Sequence, residues 1–278
     1  MKTIIKKIAL ISFIATVMLF VSCEVKDDSN DTNTDVNYSA ENTARAAQTD
    51  NVVEGTFNII DNGYVENDGS TSSFNNISLF SSCTTITFIP NGDSGTIILD
   101  FGESCQLNNG SVVSGIIRLE YGPFVGGTRT INYTFENYFY NNNGVTGGGE
   151  IYRQIANQNG NPQSTVNESI TVSFPNTEVT ATRNGLRITE WIEGIGNGTW
   201  TDNVYSITGN WDTTFTNGFE RTGEVTEPVI VKLNCLYVVS GRIAITQEGL
   251  TGIIDYGDGT CDNEAVLIIN GQEYPILM

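Results

Sequence analysis

The sequence predicts a mainly β protein: an antiparallel meander that curves into a sandwich or an open barrel, with one short helix near its N-terminus. Three observations carry that prediction. From Ile77 onward apolar and polar residues alternate with period two, as in Thr130-Ile131-Asn132-Tyr133-Thr134-Phe135 and Ser169-Ile170-Thr171-Val172-Ser173-Phe174. Asn-Gly dipeptides punctuate the runs at Asn91-Gly92, Asn109-Gly110, Asn143-Gly144, Asn184-Gly185 and Asn270-Gly271. Such turns suit tight hairpins because their central residues must take positive φ. Four cysteines within the same region, Cys83, Cys105, Cys235 and Cys261, lie at separations that suit stapled hairpins.

The first segment, residues 1–22, reads as a signal peptide. Lys2, Lys6 and Lys7 precede an apolar run from Ile8 to Val21, and Ser22 supplies a small residue before Cys23. That run is shorter than the roughly twenty residues of a spanning helix. Phe20-Val21-Ser22-Cys23 resembles the lipobox of bacterial lipoproteins, with Phe20 where Leu is usual. The resemblance implies cleavage before Cys23, acylation of that cysteine and a lipid-anchored protein. Glu24-Val25-Lys26-Asp27-Asp28 resembles the acidic surface-export signal of Bacteroidota lipoproteins, which implies the exterior face of the outer membrane. Residues 23–39 are rich in Asp, Asn, Ser and Thr and are expected to form a disordered acidic tether.

Residues 40–64 are the one helical stretch. Ala46, Val53, Phe57, Ile60 and Tyr64 recur at helical spacing, Asn51 with Glu54 matches a capping box, and Gly63 supplies a stop. The apolar stripe is expected to pack on the sheet. Residues 65–278 form the β domain. Leu99-Asp100-Phe101-Gly102 before Cys105 echoes Ile254-Asp255-Tyr256-Gly257 before Cys261, which suggests two related halves with a seam near 156–165. With Cys23 set aside, hairpin geometry selects the pairs Cys83–Cys105 and Cys235–Cys261. A strand from Cys235 turning near Glu248-Gly249 returns beside Cys261. One from Cys83 turning near Gly92-Asp93 returns three residues short of Cys105, an offset the Asp-Phe-Gly kink can supply.

Charge and composition exclude several kinds of chemistry. The formal charge is −19, and losing Lys2, Lys6 and Lys7 with the signal peptide takes it to −22. Such a chain repels nucleic acid, so no nucleic-acid partner is expected. The sequence has no histidine, which removes Ser-His-Asp triads, Cys-His pairs and imidazole metal ligation. Carboxylate chemistry of the glycoside hydrolase kind survives, and acid pairs such as Glu190/Glu193 do not stand out in a chain with 32 acids. No catalytic residue is assigned and no cofactor is expected. Asp255, Asp258 and Asp262 invite a calcium reading, but they lack the spacing of an EF-hand, and Asp-Gly strings more often build turns. The same string, Asp255-Tyr256-Gly257-Asp258-Gly259, resembles the hairpin of PKD modules over that turn alone.

Trp191, Trp200 and Trp211, with Tyr205 among them, are the candidate ligand-binding residues. Outward-facing rings beside Asn and Thr would make a platform for sugar rings; the plainer alternative is that they are core. Over the mature chain, Leu99-Asp100-Phe101-Gly102 with Cys105, Asp202-Asn203-Val204-Tyr205-Ser206-Ile207-Thr208-Gly209, and Asp255 to Asn263 resemble a group of outer-membrane lipoproteins of Flavobacteria. The likeness implies surface location and a shared β fold, and no activity or ligand. The expected role is binding, adhesion or envelope structure, toward a glycan or a surface protein, with a carboxylate-based glycan-processing enzyme as the alternative.

Overall fold

A computed structural model describes residues 40–67, 78–197 and 199–277. Residues 1–39, with the expected signal peptide, the expected tether and Cys23, lie outside the described residues. Among the described residues the fold is mainly antiparallel β with one α-helix, as predicted. Helix α1 spans Ala40–Asn67. The strands are β1 Thr85–Asn91, β2 Ser94–Asp100, β3 Cys105–Gln106, β4 Val112–Tyr121, β5 Thr128–Tyr140, β6 Asn143–Gln154 and β7 Gln163–Ser173. They continue as β8 Thr180–Glu193, β9 Val204–Phe215, β10 Glu220–Lys232, β11 Val238–Gln247, β12 Leu250–Asp258, β13 Glu264–Ile269 and β14 Gln272–Leu277.

All fourteen belong to one sheet in near-sequential order, with only β3 off the path beside β4. Apart from β2, which pairs with β4, each strand pairs with the next, as antiparallel strands joined by hairpin connections do. Gly92-Asp93 and Glu248-Gly249 turn β1 into β2 and β11 into β12, where the predicted turns fell. The sheet is open and does not close into a barrel. It runs unbroken across the expected seam, since Ile151 on β6 pairs with Val166 on β7 and Gln154 with Gln163.

The concave face curves around α1. Leu99 of β2 packs on Gly63, Tyr121 of β4 on Tyr64, and Tyr133 of β5 edge-on to Phe57. Ser164 of β7 donates to Asp61, Arg187 of β8 reaches Glu54, and Arg221 of β10 reaches Asp50. Near the helix start, Gln247 donates to Thr43 at 2.8 Å and Asn217 to Asn42 at 2.9 Å. The stripe Ala46, Val53, Phe57, Ile60 and Tyr64 is buried, and so are Val52, Ile59, Asp61 and Asn62, so the helix is covered on several sides.

Its bounds also differ from the sequence reading. Asn51 and Glu54 lie inside the helix and form no capping box, and the chain continues helically through Gly63 to Asn67. Gly55 and Gly63 serve close approach instead. A Cβ at Gly55 would lie 2.2 Å from Tyr140 Cζ, and one at Gly63 would lie 2.5 Å from Leu99 Cδ1. At the helix end the Glu66 carboxylate accepts from Ser78 Oγ and, at 3.0 Å, from the Leu79 N–H, so it ties the helix to the chain entering the sheet.

Both predicted disulfides are present, Cys83–Cys105 and Cys235–Cys261. The strand partner of Asp100 is Thr85, so the mirror of Cys83 falls near Gly102. The kink at Asp100-Phe101-Gly102 then carries the chain to Cys105. A further repeat becomes visible with the pairing. Val-Val-Ser-Gly occurs at 112–115 and 238–241, and these strands pair with the two Asp-aromatic-Gly strands. Gly115 and Gly241 both take positive φ, and the ladder changes register at each.

Candidate functional site

Alternation along β8–β12, interrupted by register shifts in β10 and between β11 and β12, sends one set of side chains toward α1. These are Arg183 and Arg187 on β8, Ile207 and Trp211 on β9, and Arg221, Val225, Val229 and Val231 on β10. Ile243 and Ile245 on β11 and Tyr256 on β12 complete the wall. Here the sheet stands off from the helix and bounds a partly open cavity of about 410 Å³. Its other wall is the helix face Asp50, Asn51, Glu54, Gly55 and Asn58, the least buried side of the middle of α1. Residues 109–111, Tyr140, Asn141 and the segment 233–237 line the rest.

A charge network binds the helix to the wall. Arg183 donates from Nε to Glu168 at 2.8 Å and from its terminal nitrogens to Asp50 at 3.2 Å and Glu54 at 3.5 Å. Its guanidinium lies 4.2 Å from the Trp211 ring centroid. Arg187 donates to Glu54 from Nε at 3.2 Å and from a terminal nitrogen at 3.1 Å. It also bonds Thr189 and stands 3.7 Å from Asp61. Arg221 reaches Asp50 at 3.0 Å, and Arg153 stands 3.9 Å from Asp61. Asp50, Glu54 and Asp61 recur at helical spacing, so three turns present one acidic edge to arginines from three strands, β6, β8 and β10.

The electrostatics differ from group to group. Burial pushes the Glu54 carboxyl up, but Arg187 and Arg183 outweigh it and hold the group below its ordinary range. Burial pushes the Glu168 carboxyl up, and Arg183 only partly offsets it. Burial would lower Arg183 and Arg187, but their carboxylate partners raise both. Burial also raises the Tyr256 hydroxyl, so this wall residue stays protonated at neutral pH.

The sequence-predicted residues are placed differently from one another. Trp191, Trp200 and Trp211 are 5%, 7% and 8% exposed and Tyr205 is buried, so the outward platform is corrected to core. Trp191 and Tyr205 are cross-strand partners with rings 6.0 Å apart. Trp211 alone of the four lines the cavity, its indole lying where a Cβ on Gly223 would be only 2.3 Å away. The alternation that marked these strands also put the rings on the inner face, and sequence had no means to tell inner from outer.

Asp255, Asp258 and Asp262 do not converge. Asp255 accepts from Arg242 Nε at 2.8 Å and from the Gly257 N–H at 3.0 Å. Asp258 accepts from the N–H and hydroxyl of Thr260, and Asp262 accepts from the Glu264 N–H at 3.0 Å. Each is a turn cap, the more ordinary use of Asp beside Gly. Among the described residues no group of three or more His, Cys, Asp or Glu side chains is placed to hold a metal. Glu190 accepts from Asn159 and Asn161 in an exposed loop contact.

Sequence reasoning missed Asp50, Glu54, Arg183, Arg187 and Arg221. Period two places these arginines on one face of their strands but does not say that the face is inside, where a buried charge would demand an acid opposite it. No protein-family model, no curated protein and no solved structure matches this chain.

Proposed function

We propose that the mature protein is a lipid-anchored binding protein of the outer membrane, facing the cell exterior, that holds a small ligand in the cavity between α1 and β8–β12 without turnover. The cavity carries the reading. At about 410 Å³ it lies within the roughly 300–1,000 Å³ of small-molecule sites, and it joins apolar walls to a few converging polar groups, the usual composition of such sites. The lipobox and the acidic residues after Cys23 support the location.

Hydrolysis of a glycan is the second reading, because Asp50 and Glu54 share the cavity. Glycosidases of this kind need one carboxyl that keeps a proton to give to the leaving group. Glu54 is held ionised by Arg187 and Arg183, so it is ill suited to that part.

Native mass spectrometry of the protein purified from its producing cells tests the binding reading. A bound small molecule is expected on the wild type and none on Val229→Trp, which fills the cavity, with the β circular-dichroism signal kept. The same occupancy on both would overturn it. Release of reducing sugar from cell-surface polysaccharide that disappears in Glu54→Gln would replace binding with hydrolysis. The anchor has its own test: palmitate labelling and membrane partition should both be lost in Cys23→Ala, and their persistence would remove the assignment.

A further inference from the structure

The two long walls of the cavity are chemically opposite. Along β11 and the part of β10 after Arg221 it is bounded by Val225, Val229, Val231, Ile243 and Ile245, which offer aliphatic surface. Across from them the helix presents Asn51, Glu54 and Asn58, three residues on one face. A molecule lying between them meets hydrocarbon on one flank and hydrogen-bonding groups on the other.

The charges around the polar wall are already matched. Asp50, Glu54, Asp61 and Glu168 are engaged by Arg153, Arg183, Arg187 and Arg221, acid for base. A further anion or cation would give up part of its hydration at a wall with no counter-charge left for it, which is unfavourable for an unpaired charge. Asn51 and Asn58 carry amides, which both donate and accept and so suit uncharged partners such as hydroxyls and amides.

We propose that the cavity takes an uncharged amphiphile, with an aliphatic flank against β10–β11 and hydroxyl or amide groups toward α1. The inference rests on the binding reading above and narrows it to a ligand class. Carboxylate-headed and ammonium-headed molecules of the same chain length are rejected by the same site.

Equilibrium dialysis with three probes that share a ten-carbon chain tests it: monodecanoylglycerol, decanoate and decyltrimethylammonium, each below its micelle concentration. The protein is the full mature chain carrying Cys23→Ser, secreted through an ordinary cleavable signal and kept free of detergent. Monodecanoylglycerol is expected to bind once per chain, roughly tenfold or more tighter than either charged probe. Asn58→Leu should weaken it by roughly tenfold, and Val229→Trp should abolish it. A charged probe that binds as tightly as the neutral one, and is lost in Val229→Trp, overturns the ligand class and leaves the cavity as a binding site. No saturable binding of any probe, or binding untouched by Val229→Trp, overturns both the class and the binding reading.

Discussion

Asp100-Phe101-Gly102 and Asp255-Tyr256-Gly257 are the same corner built twice and set in different surroundings. In each, the aspartate accepts from the glycine N–H, at 2.9 Å in the first and 3.0 Å in the second. Each glycine takes positive φ, and a disulfide cysteine follows. Each corner strand pairs with a Val-Val-Ser-Gly strand. Yet Phe101 is 1% exposed, stacked on Phe80 and packed against Tyr138, whereas Tyr256 is 8% exposed and looks onto the cavity. The contrast extends to their neighbours: Ile97, Leu99, Ile117 and Leu119 are wholly buried, while Val229, Val231, Ile243 and Ile245 all keep some exposed surface. Local chemistry makes the corner. What packs over it decides whether its aromatic closes a core or lines a cavity.

The largest expected effects test that contrast directly. Phe101→Ala should cost about 3–5 kcal/mol of stability, and Tyr256→Ala less than half as much, because part of the tyrosine's surface faces the cavity and not packed atoms. Urea unfolding of both variants measures the gap, and equal losses would show that the two corners are packed alike. Arg183→Ala is expected to cost a similar amount, about 3–5 kcal/mol, since it leaves buried Glu168 without its partner. Adding Glu168→Gln should recover part of that loss; an additive double variant would mean the pair is not coupled.

The two disulfides come next. Their loops span 22 and 26 residues, so removing either pair should cost about 3 kcal/mol if the unfolded chain is the state they restrain. Similar losses for Cys83→Ala/Cys105→Ala and Cys235→Ala/Cys261→Ala are expected, even though one pair borders the packed half and the other the cavity. A much smaller loss for the cavity-side pair would show that the difference between the halves reaches into their staples.

The smallest effect is in pH dependence, and here the groups oppose one another. Glu54 is held below its ordinary 4.5, so its stabilisation is present above that value and is lost as pH falls through the folded-state pKa. Glu66 and Glu168 are raised above 4.5 chiefly by burial, so their folded forms take up a proton first. Their contribution is full below 4.5 and is lost as pH rises through their folded values. Thermal melts across acidic to neutral pH should therefore pass through a maximum on the mildly acidic side. Glu66→Gln should flatten the neutral limb and Glu54→Gln the acid limb; unchanged limbs in both would sink the assignment.

Much of the architecture was legible because it is written in short range. Period-two alternation broken by turns specifies successive antiparallel hairpins and so a sequential meander, although Asn184-Gly185 lies inside β8 and Asn143-Gly144 opens β6 after a turn at Asn141-Asn142. The same counting from turn centres placed Cys83 opposite Cys105 and Cys235 opposite Cys261. Helix bounds were less legible. Gly63 reads as a stop, yet it continues the helix because Leu99 needs the space its missing side chain leaves.

The cavity was not legible at all. Period two states that Trp211, Arg183 and Arg221 share a face with their neighbours, and it is silent on which face is inside. Curvature of the sheet around α1 settled that, and it brought Asp50 beside Arg183 across 133 residues of chain. Such an encounter depends on how far fourteen strands bend and where the helix lies within them. Strand order and disulfide pairing follow from contacts between sequence neighbours, so the sequence alone determined them. The inward burial of the tryptophans, the arginine–carboxylate network and the cavity arise from contacts between distant segments, and only the tertiary structure decided them.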